Sequence, residues 1–153
     1  YFRDNTPVFN DESTPFEIGK AVKLREGKDV TIFASGIMVD VALKAANLLA
    51  AKGISARVLN MFTLKPIDKD AIVTCAKETG AIVTAENHNI INGFGSAVAE
   101  VLAEHLPTPL ERIGVQDVFG EVGPEDYLRK RFELTEADLV KKVEKVIQRK
   151  NRM

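Results

Sequence analysis

From residue 30 to residue 115 the chain repeats one pattern of apolar and polar positions. A short continuous apolar run is followed by a turn, then by a longer stretch with apolar residues at helical spacing. Val30–Ser35 is unbroken and rich in β-branched residues, as suits a strand covered on both faces. A helix is expected over 40–52, with Val41, Ala45, Leu48 and Leu49 on one face and Gly53 at its end. Ser55–Asn60 reads as the next strand and Asp68–Thr79 as the next helix, closing at Gly80. Ala81–Glu86 and Ser96–His105 form a third strand and helix, the helix stopping before Pro107, and Leu110–Val115 is a further strand. A glycine just past a helix supplies the left-handed backbone that ends it. Strand–helix units at this near-equal spacing imply parallel strands joined by right-handed crossovers.

The flanks break the pattern. Residues 17–25 read as a strand, and only the turn 26–29 separates them from Val30. A strand–turn–strand arrangement follows, with 17–25 as the antiparallel member. After Val115 a glycine-containing loop leads to a short helix near 125–131. The last helix starts at Thr135, where Asp138 three residues on makes an imperfect capping box. Its buried face carries Leu139, Val143, Val146 and Ile147. The expected fold is α/β: a three-layer sandwich with a five-stranded, mostly parallel sheet and one antiparallel strand, over residues 17–153. Residues 1–16, with two prolines and many short polar side chains, read as a linker from a preceding domain.

Composition narrows the class. Apolar content of 45% and charged content of 28% are those of a soluble globular domain. A net charge of -1 offers no global attraction to nucleic acid or to an anionic membrane. No apolar run approaches the ~20 residues of a membrane span, and no signal-peptide pattern opens the chain. Cys75 is the single cysteine, which excludes an internal disulfide and a thiolate metal cluster and suits a reducing cytoplasm.

Candidate chemistry centres on Glu86, Asn87 and His88, past the expected end of the strand 81–86, where α/β folds place their working residues. A carboxylate at 86 could orient and charge His88. The preferred reading is a structural or interface histidine that bonds a neighbour or packs between subunits. Gly93-Phe94-Gly95 resembles the start of a dinucleotide fingerprint, but the third glycine would fall on Val98. Tight packing of a strand-to-helix turn explains the two glycines better. No phosphate-binding loop of the Gly-x-x-x-x-Gly-Lys type occurs, and two distant histidines with one cysteine make no transition-metal site. His105 suits the dipole at a helix end, and Cys75 shares an apolar face with Ala71 and Ile72. Arg3 and Lys65 are isolated cations near features that could meet an anion, and Asp11 with Glu12 is a solvated acidic pair. The residues alone describe an α/β domain without a complete active site; no catalytic, cofactor-binding or metal-binding residue is assigned.

Several stretches resemble the C-terminal domain shared by transketolase, 1-deoxyxylulose-5-phosphate synthase and the β subunits of 2-oxoacid dehydrogenases. Phe16–Ala21 resembles the family's opening strand, and Asp29–Gly36 its first parallel strand and glycine turn. Arg57–Asp68 is similar to the signature V-x-x-x-x-T-[IL]-K-P-[IL]-D and is the most specific stretch. Thr84–His88 with Gly93–Val98 completes the resemblance, which spans nearly the whole chain. The Glu-x-His segment and Gly114–Glu121 are closer to transketolase than to the other two groups. The resemblance implies ketol transfer between sugar phosphates by a larger enzyme, with thiamine diphosphate and Mg2+ held by its other domains and none by this chain. It implies a homodimer, with this domain adding dimer contacts. It also implies that Arg3, set in Tyr1-Phe2-Arg3-Asp4-Asn5-Thr6-Pro7, binds the substrate phosphate, although Thr6 replaces the family's second arginine. The alternatives are the same domain from a synthase or dehydrogenase relative, or a stand-alone α/β binding module.

Overall fold

The computed structural model describes Val8 and residues 10–152. Five strands form one sheet: β1 (Val22–Arg25), β2 (Val30–Ala34), β3 (Ala56–Asn60), β4 (Ile82–Asn89) and β5 (Leu110–Val115). Their order is β1-β3-β2-β4-β5, with β1 antiparallel to β3 and every other pair parallel. The helices are α1 (Met38–Ala51), α2 (Lys69–Thr79), α3 (Phe94–His105), α4 (Glu125–Arg131) and α5 (Glu136–Lys150). The sheet is mostly parallel with one antiparallel pair, as the pattern predicts.

Side-chain alternation along β2 divides the core. Val30, Ile32 and Ala34 face the layer of α1 and α5, while Phe33 faces α2 and α3. All five residues of β2 are buried, because the strand has a neighbour on each edge and a helix layer on each face. The order also fixes the layers. The crossover from β2 to β3 runs one way along the sheet, and those from β3 to β4 and β4 to β5 run the other. Right-handed connections must then place α1 on one face and α2 with α3 on the other. Among the described residues, no helix is long and apolar enough to cross a membrane.

Three details differ from the sequence expectation. The first strand is confined to Val22–Arg25, and it pairs with β3 rather than across the turn with β2. The turn 26–29 instead crosses the amino end of β3. There Lys28 and Asp29 donate their amides to the carbonyl of Ser55, and the Ser55 amide donates to Asp29 Oδ2 at 2.7 Å. Gly27 permits this crossing: a Cβ on it would stand 2.2 Å from the backbone of Ala56 and Arg57. β4 runs on to Asn89, so Asn87 and His88 belong to its end rather than to a loop. The register slips between Ala85 and Asn89, and the polar end still pairs with β5. Finally, the capping box at Thr135 is complete: its side chain accepts from the Asp138 amide, and Asp138 accepts from the Thr135 amide.

Candidate functional site

The carboxyl ends of β2 and β4 flank the point where the sheet changes direction, the place where open α/β sheets form a crevice. A cavity of about 370 Å³ lies there. Ser35 after β2, His88 at the end of β4, and Asn92 and Gly93 before α3 contribute to its wall. The crevice follows directly from the topology.

Glu86 is the residue around which this end is built. It is only 2% exposed. Its Oε2 accepts the Phe94 amide and its Oε1 the Gly95 amide, both at 2.7 Å. Those amides belong to the first turn of α3, whose N-cap, Gly93, has no side chain to satisfy them. The preceding strand therefore supplies the cap, and a carboxylate suits the positive end of the helix dipole. Both glycines are required by the close approach. A Cβ at Gly93 would lie 2.2 Å from Glu86 Oε2, and one at Gly95 would lie 2.6 Å from Thr84 Oγ1. Gly-Phe-Gly is thus a cradle for the protein's own carboxylate.

That occupancy limits the chemistry. A helix N-terminus preceded by a glycine turn is a ready anion site, but here two of its amides are already spent on Glu86. The described residues contain no group of three or more His, Cys, Asp or Glu able to hold a metal ion. At this helix terminus the two amides that would meet an anion are taken, so the terminus itself does not fit a diphosphate. Among the described residues of the crevice, none pairs a nucleophile with a hydrogen-bonded base. The crevice wall also carries the hydrogen-bonding side chains of Ser35, Asn87, His88 and Asn92.

The other sequence candidates fall as follows. Arg3 lies outside the described residues. His88 is exposed, and its Nδ1 lies 3.2 Å from the Asn89 carbonyl oxygen; the Glu86 carboxylate is engaged with backbone amides instead. Lys65 is exposed on the loop between β3 and α2. Asp11 accepts from Ser13 and Thr14 in a local turn, and Glu12 beside it is exposed. His105 is in the last turn of α3, and Cys75 packs in the core between α2, α3 and the sheet.

Three residues that the sequence reading left without a role turn out to organise this end of the sheet. Asp68 caps α2 by accepting the Ala71 amide through Oδ1, while its Oδ2 accepts the Ala21 amide at 2.9 Å. Thr63 Oγ1 accepts the Gly19 amide. The Thr-x-x-Pro-x-Asp segment thus pins the chain as it enters β1. Arg112 on β5 donates through Nη1 to the Ile90 carbonyl at 2.8 Å and to Ser96 Oγ at 3.0 Å, bracing the turn ahead of α3. An arginine within an apolar strand was the available signal.

Fold and site together define an α/β domain whose crevice, at the point where the sheet changes direction, is braced from within by Glu86. The family model described as "Transketolase, C-terminal domain" matches residues 19–139, and the chain belongs to that family. It is 54% identical over 142 residues to the 6-deoxy-6-sulfo-D-fructose transketolase subunit SqwH of Clostridium sp. (strain MSTE9), covering 93% of this chain and 44% of that protein. It is 43% identical over 135 residues to the 1-deoxy-D-xylulose-5-phosphate synthase of Heliobacterium modesticaldum, covering 88% of this chain and 21% of that protein. A solved structure described as "Split gene transketolase, inactive beta4 tetramer" superposes with a TM-score of 0.90 at 50% identity, covering 94% of this chain and 47% of that one. The chain spans less than half the length of these relatives.

Proposed function

We propose that the chain is the C-terminal section of a split transketolase-type enzyme, which transfers two-carbon ketol units between sugar phosphates. The observation that carries this reading is the 50% identity to a split-gene transketolase across 94% of the chain. The higher identity to a transketolase subunit than to the synthase, 54% against 43%, favours transketolase over that alternative. Thiamine diphosphate and Mg2+ belong, on this reading, to the other domains or to a companion subunit. The inward-turned Glu86 cap supports this division, because it fills the backbone cradle that a diphosphate would need. The chain's own part is to make subunit contacts and, through Arg3, to hold the anionic end of the substrate. Copies of the chain associate with one another, at least as a homodimer, in the reducing cytoplasm.

The test is reconstitution. The chain is mixed with the thiamine-diphosphate-binding portion of the same enzyme, and ketol transfer is followed with a phosphorylated ketose donor and an aldose phosphate acceptor. Activity should require both components, with neither active by itself. Full activity of the companion portion without this chain would refute the reading.

A further inference from the structure

We propose that Asn92-Gly93, in the turn ahead of α3, is a site of spontaneous covalent modification, where loss of the Asn92 amide puts a carboxylate into the crevice wall and loosens the Glu86 cap. Among the asparagines of the chain, Asn92 alone is followed by glycine. That neighbour decides the reactivity. The Gly93 backbone nitrogen attacks the carbonyl carbon of the Asn92 side chain, and a side chain at residue 93 would crowd the approach. The local structure leaves both groups open. Asn92 is exposed, in a turn, with φ +56°. Among the described residues, no hydrogen bond holds its side-chain amide or the Gly93 N–H, whereas the next two amides are held by Glu86. Asn89, in the same connection, is tied at both ends of its amide: Oδ1 accepts the Ile91 amide and Nδ2 donates to Asp117 Oδ1.

The step needs only water as co-reactant. The bond from Gly93 N to Asn92 Cγ forms, the Cγ–Nδ2 bond breaks, and the amide leaves as ammonia with the proton of the Gly93 N–H. Water then opens the cyclic imide. Opening at Cγ leaves an ordinary aspartate, and opening at the backbone carbonyl leaves isoaspartate, in which the chain runs through Cβ. Both products act on Glu86. A Cβ on Gly93 would stand 2.2 Å from Glu86 Oε2 and 2.3 Å from the Asn89 carbonyl oxygen, so the turn has no slack for the carbon that isoaspartate inserts into the backbone beside it. Either product also adds a negative charge to the wall that Glu86 shares, where like charges repel more strongly than in open water. The amides of Phe94 and Gly95 then lose part of their hold on the carboxylate, and the first turn of α3 opens more often.

The 153-residue chain is incubated at mildly alkaline pH, which deprotonates the attacking nitrogen, beside a second sample held in urea. A third sample is Asn92→Gly, which keeps the left-handed turn and removes the leaving amide. Peptide mapping by mass spectrometry locates the gain of one mass unit and the isoaspartate. In the folded chain both should accumulate at residue 92 ahead of every other asparagine, and Asn92→Gly should show neither there. The modified fraction is separated by its added negative charge and its hydrogen exchange is measured. Its Phe94 and Gly95 amides should exchange about tenfold faster or more than in the parent. Modification of Asn92 in urea but not in the folded chain would show that the turn protects it, and would overturn the proposal. Modification that left both amides exchanging at the parent rate would cut the link to Glu86 and overturn it equally.

Discussion

Glu86 and Gly93 are fitted to each other: the carboxylate occupies the space that a side chain at residue 93 would take, with Oε2 only 2.2 Å from where its Cβ would stand. The fit links strand β4 to helix α3 through the two amides that Glu86 accepts. It also explains why the glycine turn, open to a ligand by its sequence, is filled by the protein's own carboxylate.

Replacing either residue should destabilise the fold by a different route. Glu86→Ala leaves two buried amide donors unpaired, a loss of roughly 1–3 kcal/mol or more. Gly93→Ala forces the carboxylate and the Asn89 carbonyl apart, an overpacking cost of about 1–3 kcal/mol. Urea unfolding of each variant measures this directly. If Gly93→Ala unfolds within about 0.5 kcal/mol of the parent, the range of an ordinary surface change, the steric argument is wrong.

Much of this architecture is legible in the chain because the strands of a parallel sheet are buried on both faces and announce themselves as apolar runs. β2 and the glycine stops at 53 and 80 are such cases, both glycines having positive φ. The pairing of β1 is not legible: a short turn suggests a neighbour in sequence, while β3 is inserted between β1 and β2 by the crossover of α1. The role of Glu86 is equally hidden. Its adjacency to His88 in sequence suggests a pair, but its partners lie eight and nine residues away, on the far side of the turn.

Asp68 joins two elements through its two carboxylate oxygens, so Asp68→Ala should cost more than an ordinary cap. Loss of the cap on α2 alone is worth about 0.5–2 kcal/mol, and the orphaned Ala21 amide adds to it. Hydrogen exchange separates the parts: the amides of Ala21 and Val22 should exchange faster in the variant than those of the central strand β2. Uniform acceleration across the sheet would show global unfolding instead, and would count against a local anchor.

Acid should loosen α5 from β5 through Glu111. Burial pushes this carboxyl up, but hydrogen bonds from Lys145 and Arg149 outweigh it and hold the group below its ordinary value of 4.5. A group whose folded value is depressed contributes stability above its unfolded value, and the contribution disappears as pH falls from about 4.5 through the lower folded value. Because Lys145 and Arg149 are 61% and 49% exposed, the contribution is modest, about 1 kcal/mol. Glu111→Gln should therefore be less stable than the parent at pH 7, and the gap should close as pH falls from 4.5 through the lower folded value. A gap of constant size from pH 7 to pH 3 would remove Glu111 from the acid response.

In the assembled enzyme, Arg3 and His88 should separate cleanly in kinetics. Arg3 is proposed to grip the anionic end of the sugar, remote from the reacting carbonyl, so that its binding energy positions the substrate. Losing one charge-assisted contact costs roughly 1.5–3 kcal/mol, and Arg3→Ala should show it mainly as a raised KM for phosphorylated donors, with unphosphorylated ones little changed. His88 stands exposed at the end of β4 with its Nδ1 beside the Asn89 carbonyl, in a domain whose described residues assemble no catalytic pair. His88→Ala should therefore leave kcat within about twofold, as an ordinary exposed substitution does. The decisive measurement is the pair of variants on phosphorylated and unphosphorylated donors side by side. A collapse of kcat in His88→Ala, together with equal losses on both donors in Arg3→Ala, would reverse both assignments, giving the chemical step to the residue here assigned structure and denying phosphate recognition to the arginine.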